Sequence, residues 1–403
     1  MPPAIAARGG SATRTTPIAL LAACTALGPV ATNIYLPALP AVQQFFGVSV
    51  AATQTSVSSY LIAFATGILF AGPLADRLGR RPVMLWGVAL FALGSLLALL
   101  APTLPLLVAA RIVQALGSAA AVTVGRACVG DVYRGDELAR MLATLTMIMM
   151  LGTTLSPYIG GLVAVRFGWH SCFALLLCAS LLIWLFCLRG IVETRVPQVA
   201  ASDSQALLKQ GRKVLAQPIF FGYVVQAGLI YGIFLTFITV APYVLVQGLH
   251  RPATEFGAYY LLLAGGYFLG NFTVSRTSSR LEAEKVMLWG LVLQVVGATG
   301  ALIFAVLGYW QSEFIFLPQL PLAFGQGLAL PHITARAVGL APGFAGIASS
   351  MIGFSQQAIA AVCVQAMGFA PIDSPLPVTW FCFLASLVAF GSFFLLRSSI
   401  VKA

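Results

Sequence analysis

Arg111, Gln114 and Ser118 stand at i, i+3 and i+7 inside the apolar run "ARIVQALGSAAAV". On a helix this spacing places a guanidinium, an amide and a hydroxyl on one face. An arginine in such a run is costly unless it lines a cavity, finds partners or snorkels to the membrane surface. The shared face is therefore expected to look into a central cavity. Asn33 and Tyr35, in "VATNIYLPALP" from Val30 to Pro40, pose the same problem, since an amide and a phenol gain nothing from hydrocarbon. Tyr231, Phe234 and Phe237 recur every third residue and offer an aromatic wall for an apolar pocket, with helix packing as an equal alternative. Gln356 and Gln357 are costly in lipid and should point inward. His332 titrates in a useful range if it faces a cavity, and otherwise packs. Together these groups can bind and orient a small molecule without making or breaking its bonds.

Catalytic alternatives are poorly supplied. Three histidines form no His/Glu metal constellation, and no nucleophile has a plausible base, so the chain does not read as an enzyme. Seven cysteines contain no C-x-x-C pair and read as small buried hydrophobes. None of the lysines follows a glycine, which excludes a Walker phosphate loop. Neither a metal nor an organic cofactor is expected.

Composition defines the elements that must position these side chains. Of 403 residues, 60% are hydrophobic and 8% charged, against roughly a quarter charged in soluble proteins. The apolar residues come in blocks long enough for membrane-crossing helices, which need about 20 residues. Twelve spans are expected, near 17–42, 53–75, 82–101, 105–129, 141–165, 171–189, 218–246, 255–275, 286–308, 314–335, 346–368 and 377–396. The blocks are too long and too poorly alternating for a β-barrel, so the fold class is an all-α polytopic membrane protein. The run after Arg8 and Arg14 resembles a signal peptide but lacks a clear small-residue cleavage site, and is expected to remain as the first span.

Placing the N-terminus in the cytoplasm puts eighteen of the 22 Lys and Arg residues on that side, and only Arg166 and Arg251 opposite. Arg111 and Arg126 lie within spans. This asymmetry predicts cytoplasmic termini at both ends and accounts for the net charge of +11 without a nucleic-acid partner.

The longest polar stretch, Arg189 to Gln217, divides six spans from six. "VMLWG" occurs at Val83–Gly87 and again at Val286–Gly290, each time opening the third span of its half. "ALGSAAAV" at Ala115 is echoed by "AFGQGLAL" at Ala323. These repeats predict an N-terminal six-helix bundle over 1–188, a cytoplasmic linker over 189–217 and a C-terminal bundle over 218–403. Parallel repeats of this kind place a substrate site near mid-membrane, between the halves.

Two segments have the composition of gates. "GPLADRLGRR", Gly72 to Arg81, joins spans two and three, with Gly72 allowing close approach and Gly79 a turn. It carries Asp76, Arg77, Arg80 and Arg81 at the membrane face, and Asp131 at the end of span four is a natural partner for one of the arginines. "GTTLSPYIGG" in span five supplies Gly152, Ser156, Pro157, Gly160 and Gly161, whose small side chains and proline suit a deformable, closely packed helix.

The first segment resembles the signature loop of the major facilitator superfamily, whose fold packs twelve helices as two pseudo-symmetric six-helix bundles. The second resembles that superfamily's export-associated motif, with Ser156 standing where glycine is usual. Arg111, Gln114 and Gly117 match the span-four motif of its drug–proton antiporters. With "YLPALP", "RGDELAR" (Arg134–Arg140) and "GLAPGFAGIASSMIGFSQQ" (Gly339–Gln357), the chain resembles the Bcr/CflA-type bicyclomycin and chloramphenicol resistance exporters. That resemblance implies a monomer in the bacterial inner membrane that expels varied small molecules in exchange for protons, driven by the proton gradient. It also implies that the signature loop and Asp131 latch the inner gate.

One position departs from the pattern. Many relatives carry an aspartate where Asn33 stands, and an amide cannot exchange a proton near neutral pH. The eleven acidic residues offer no replacement in the middle of a first-half span. His332 and Asp131 are the alternatives for proton exchange. A facilitator or importer of an anionic or zwitterionic metabolite, handled by Arg111 and Asn33 without a cavity proton, is the competing function.

Overall fold

The computed structural model describes residues 16–195, 217–277, 281–341, 345–371 and 374–402. Arg8, Arg14, Lys209, Arg212, Lys213, Arg280 and most of the expected linker lie outside the described residues. The first half contains α1 (Ile18–Tyr35), α2 (Leu39–Phe46), α3 (Val50–Leu78), α4 (Arg80–Leu99), α5 (Leu104–Val132), α6 (Gly135–Phe167) and α7 (His170–Gly190). The second contains α8 (Pro218–Tyr243), α9 (Ala253–Thr277), α10 (Ala283–Val306), α11 (Ser312–Phe316), α12 (Gln319–Gly339), α13 (Ala345–Met367) and α14 (Leu376–Lys402).

The helices match the twelve expected spans. Among the described residues, eleven are long and apolar enough to cross a membrane. The twelfth, α9, is diluted by Asn271 and by its glycines and tyrosines. The expected first span is α1 and α2, joined by a single 3-10 turn at Leu36–Ala38. Pro37 and Pro40 each fall in the first turn of a new element, where the missing N–H is not needed. They bend the span without ending it. Ser49 caps α3 by accepting from the Ala52 N–H at 3.2 Å, and Gly79, at φ 102°, makes the turn between α3 and α4.

Packing repeats between the halves. In the first, α5 packs against α1, α3 and α4, while α7 packs against α4 and α1. In the second, α12 packs in the same way against α8, α9 and α10, and α14 against α10 and α8. Both copies of "VMLWG" end at a glycine that admits a neighbouring helix. A Cβ on Gly87 would lie 2.8 Å from the Ala120 Cβ, and one on Gly290 would lie 2.6 Å from the Gly325 carbonyl oxygen. The repeated letters thus mark equivalent helix contacts.

The halves meet through α3 with α13 and α6 with α9, a pairing that itself obeys the repeat. Ser58 donates to Gln365 at 2.8 Å, and Gln365 to the Ala51 carbonyl at 3.0 Å. Gln247 donates to Gln43 at 2.7 Å. These bonds lie toward the end of the molecule opposite the linker, where the two halves are held together.

Candidate functional site

A cavity of about 310 Å³ lies between the halves, roughly midway along the helices. The first half lines it from α1, α3 and α6, and the second from α8, α9, α12 and α13. Its wall combines Phe64, Met149, Met150 and Phe234 with the phenols of Tyr60, Tyr231, Tyr260 and Tyr267, and with Asn33, Gln326 and Gln357. Such a surface offers apolar area with a few directional polar groups. Asp, Glu, Lys, Arg and His do not occur among its lining residues.

Four sequence candidates meet here: Asn33, Tyr231, Phe234 and Gln357. Asn33 sits in the last turn of α1, bonded through Nδ2 to the Pro29 carbonyl at 3.0 Å. Its Oδ1 accepts from the Tyr260 hydroxyl at 3.3 Å, so the amide bridges the two halves.

Tyr35, Arg111 and Gln114 stand behind this wall. Arg111 is fully buried within the first bundle. Its Cζ lies 3.9 Å from the ring centroid of Tyr60, 5.1 Å from that of Tyr35 and 6.0 Å from that of Phe173. Its Nη1 donates to the Ala31 carbonyl at 3.4 Å and to Gln114 Oε1, and Gln114 donates onward to Ser95 at 2.8 Å. The expectation that Arg111 and Gln114 look into the cavity is corrected by this geometry: aromatic faces, an amide and a carbonyl solvate the cation inside the helix bundle. Tyr35 likewise shares a hydrogen bond with Ser56 at 2.9 Å, away from the cavity. Tyr60 joins the two layers. It lines the cavity, stacks on Arg111 and bonds to the Gly28 carbonyl and Ser118, each at 3.0 Å.

Two further candidates also point elsewhere. His332 is buried beside Arg336 rather than in the cavity, and its Nε2 has no hydrogen-bond partner among the described residues. Phe237 packs edge-on against Phe316 at 5.4 Å, leaving Tyr231 and Phe234 on the wall. A spacing of three residues advances 300° around a helix, so the third member drifts off the face.

At the linker end, Arg80 Nε donates to Asp131 at 2.9 Å and Nη1 to Asp76 at 2.7 Å. The sequence missed the start of the linker as a participant. Glu193 accepts from the backbone N–H groups of Arg80, Arg81 and Arg195 at 2.8, 3.0 and 3.0 Å. Thr194 donates to Asp131 at 3.1 Å, and Arg81 to the Leu188 carbonyl at 2.9 Å. Arg195 donates to the Arg77 carbonyl at 3.0 Å. Burial pushes the Glu193 carboxyl up, but the three N–H groups and the Arg80 charge outweigh it and hold the group below its usual range. Gly72 faces Thr123, where a Cβ would be in ordinary contact at 3.9 Å.

The α6 segment from Gly152 to Gly161 spans the cavity wall and the closed end. Thr153 and Thr154 line the cavity, and Gly152 packs near Val30. Ser156 donates to the Thr153 carbonyl at 2.8 Å, and Pro157 is held inside the helix. Gly160 meets the Ile34 backbone, and a Cβ on Gly161 would lie 3.2 Å from the Ala253 carbonyl oxygen. The small residues thus admit α1 on one side and α9 of the other half on the other.

Tyr60, Tyr260, Tyr267, Met149, Met150 and Gln326 were not singled out from sequence. Gln326 lies inside the quoted repeat "AFGQGLAL", so a polar residue interrupting an internal echo was the available signal.

Comparison with known proteins places this geometry. The family model for the Major Facilitator Superfamily matches residues 21–364. An "Uncharacterized transporter" of Rickettsia bellii is 30% identical over 81% of this chain and 83% of its own. A "Multidrug resistance protein MdtL" of Shewanella oneidensis is 28% identical over 86% of this chain and 87% of its own. A "Bicyclomycin resistance protein homolog" of Haemophilus influenzae is 26% identical over 94% of this chain and 95% of its own. Among solved structures, a nucleoside transporter superposes with a TM-score of 0.77 at 13% identity, over 94% of this chain and 99% of its own. A peptide transporter superposes with a TM-score of 0.76 at 14% identity, over 96% and 94%. A twelve-helix architecture, its repeated glycine contacts and a cavity between two halves coincide with a family match over most of the sequence: the chain is a transporter that belongs to the major facilitator superfamily.

Proposed function

We propose that this transporter is a secondary active exporter of small, mainly hydrophobic compounds, working by alternating access between its six-helix halves. The observation that carries this is the cavity itself: aromatic and methionine side chains with scattered amides and hydroxyls, drawn from both halves and held shut at one end. Such walls suit varied ligands, because methionine and aromatic surfaces adapt without demanding one pattern of polar groups. Relatives named for multidrug and bicyclomycin resistance support export of such compounds.

Proton antiport is the coupling implied by the resemblance to drug–proton exporters, with the proton gradient as driving force and no cofactor. The working unit is then a monomer in a bacterial cytoplasmic membrane with both termini in the cytoplasm, an orientation supported by the skewed distribution of basic residues. A second reading is favoured by one observation, an amide at Asn33 in a cavity whose lining holds no carboxylate. On that reading the same fold works as a facilitator or importer of an anionic or zwitterionic metabolite.

Proteoliposomes separate the two. Uptake of a hydrophobic drug against its gradient, accelerated when a pH gradient is imposed, is expected for antiport. Saturable flux that ignores both pH gradient and membrane potential would leave the facilitator.

A further inference from the structure

We infer that the cavity selects its ligands by charge through the ring of Tyr60, accepting neutral and anionic aromatic amphiphiles and rejecting organic cations. This names the substrate class of the cavity and rests on the reading of that cavity as the substrate site. Its lining contains no formally charged side chain, yet a full positive charge stands one ring away. Tyr60 contributes to the cavity wall and is also the ring on which Arg111 stacks, with Cζ 3.9 Å from its centroid.

That charge is unneutralised. A guanidinium keeps its proton in proteins. The hydrogen-bond partners of Arg111 are neutral, the Ala31 carbonyl and the Gln114 amide. Its Nε and Nη2 have no partner among the described residues, and the ion pairs among those residues do not include it. Full burial keeps salt from screening it.

A ligand resting on the cavity side of Tyr60 would sit about 7–8 Å from the guanidinium, from the ring distance plus a van der Waals contact. At an effective dielectric near 20, a unit charge at that range changes affinity on the order of tenfold or more. Tyrosine walls ordinarily attract cations. A partly wet cation–π contact with Tyr231, Tyr260 or Tyr267 returns only about two- to fivefold, and the quadrupole of Tyr60 is already engaged by Arg111. Repulsion of cations therefore wins.

Three compounds on one scaffold test this at pH 7: 4-phenylbutyrate, 4-phenylbutanol and 4-phenylbutylammonium. Their binding to the purified full chain in nonionic detergent is measured by equilibrium dialysis. The ammonium should bind at least tenfold more weakly than the butyrate, with the alcohol between them or level with the butyrate. In Arg111→Gln the gap between anion and cation should shrink to within about threefold. Should that variant fail to fold, Gln114→Glu supplies a carboxylate at the existing Arg111 contact, and the gap should shrink in the same way. Equal binding of anion and cation by the native chain, an unchanged gap in the folded variant, or binding of none of the three overturns the inference. Export is scored separately in proteoliposomes. A native chain that keeps the binding gap but exports no tested compound overturns the export reading alone. Equal binding with intact export overturns only the charge selection.

Discussion

The Tyr260 hydroxyl donates to Asn33 Oδ1 at 3.3 Å, a bond from one six-helix half to the other at the edge of the cavity. The same end is held by Ser58 with Gln365 and by glycines at the α6–α9 contact. A substrate entering the cavity would compete for these amide and phenol groups. On the proposed reading of the cavity as the substrate site, one set of atoms would serve both ligand binding and the hold on the closed end.

Tyr260→Phe tests that link. The substitution keeps the ring and removes a neutral hydrogen bond, whose net worth is typically about 0.5–1.5 kcal/mol. The open population at this end should rise roughly two- to tenfold. The readout is the labelling rate of an Ala51→Cys variant by a membrane-impermeant maleimide, compared with and without Tyr260→Phe. An unchanged rate would show that the Asn33 bond does not help hold the end shut.

Arg80 makes a second prediction, one of rank order. Its side chain is 12% exposed, Asp131 is 20% exposed and Asp76 is 61% exposed. Solvent screening weakens the Asp76 pair, whereas Asp131 also accepts from Thr194. Asp131→Asn should therefore lower the thermal midpoint in detergent more than Asp76→Asn. After allowance for partial exposure, the loss is about 1–2 kcal/mol for Asp131→Asn and smaller for Asp76→Asn. The reverse order would mean that Asp76 carries the contact.

Spans and repeats were legible because a membrane imposes length and composition on each helix, and duplicated helix contacts leave duplicated glycines. The orientation of individual side chains was not. Most of these helices are apolar all round, so no polar stripe tells the cavity face from the lipid face. Tyr60 therefore gave no sign that it lines the cavity. Arg111 was read as facing that cavity because buried charge demands solvation, but aromatic rings and carbonyls inside a bundle meet the same demand. Glu193 was hidden for another reason: a linker acid reveals its role only when the chain folds back onto the first turn of α4.

Glu193 gives a pH prediction with a definite sign. Its carboxyl is held below the usual range in the folded chain, and an unperturbed glutamate titrates near about 4.3. The anchoring of the linker start is thus fully present above that value and is lost as pH falls through the lower folded value. Hydrogen exchange at the Arg80 and Arg81 amides reads it, since both donate to Glu193. Protection factors should hold at pH 7 and fall only once the pH is taken below the ordinary glutamate range. Glu193→Gln should lower them already at pH 7, and equal protection in both proteins at pH 7 would refute the anchor.

Asn33→Asp turns the departure at this position into an experiment. The amide on the cavity wall would give way to a carboxyl, which can take up and release a proton where an amide cannot. The pH dependence of transport should therefore shift. Once ionised, the introduced carboxylate should also offset the charge of Arg111 behind Tyr60 and admit cations that the native cavity rejects. Proteoliposome flux measured from about pH 4 to 8 for both proteins reads the first effect, and 4-phenylbutylammonium binding reads the second. If the two pH profiles coincide, Asn33 lies off the transport path. A shifted profile without a gain in cation binding would instead place the introduced carboxyl on the proton path and out of range of the ligand's charge.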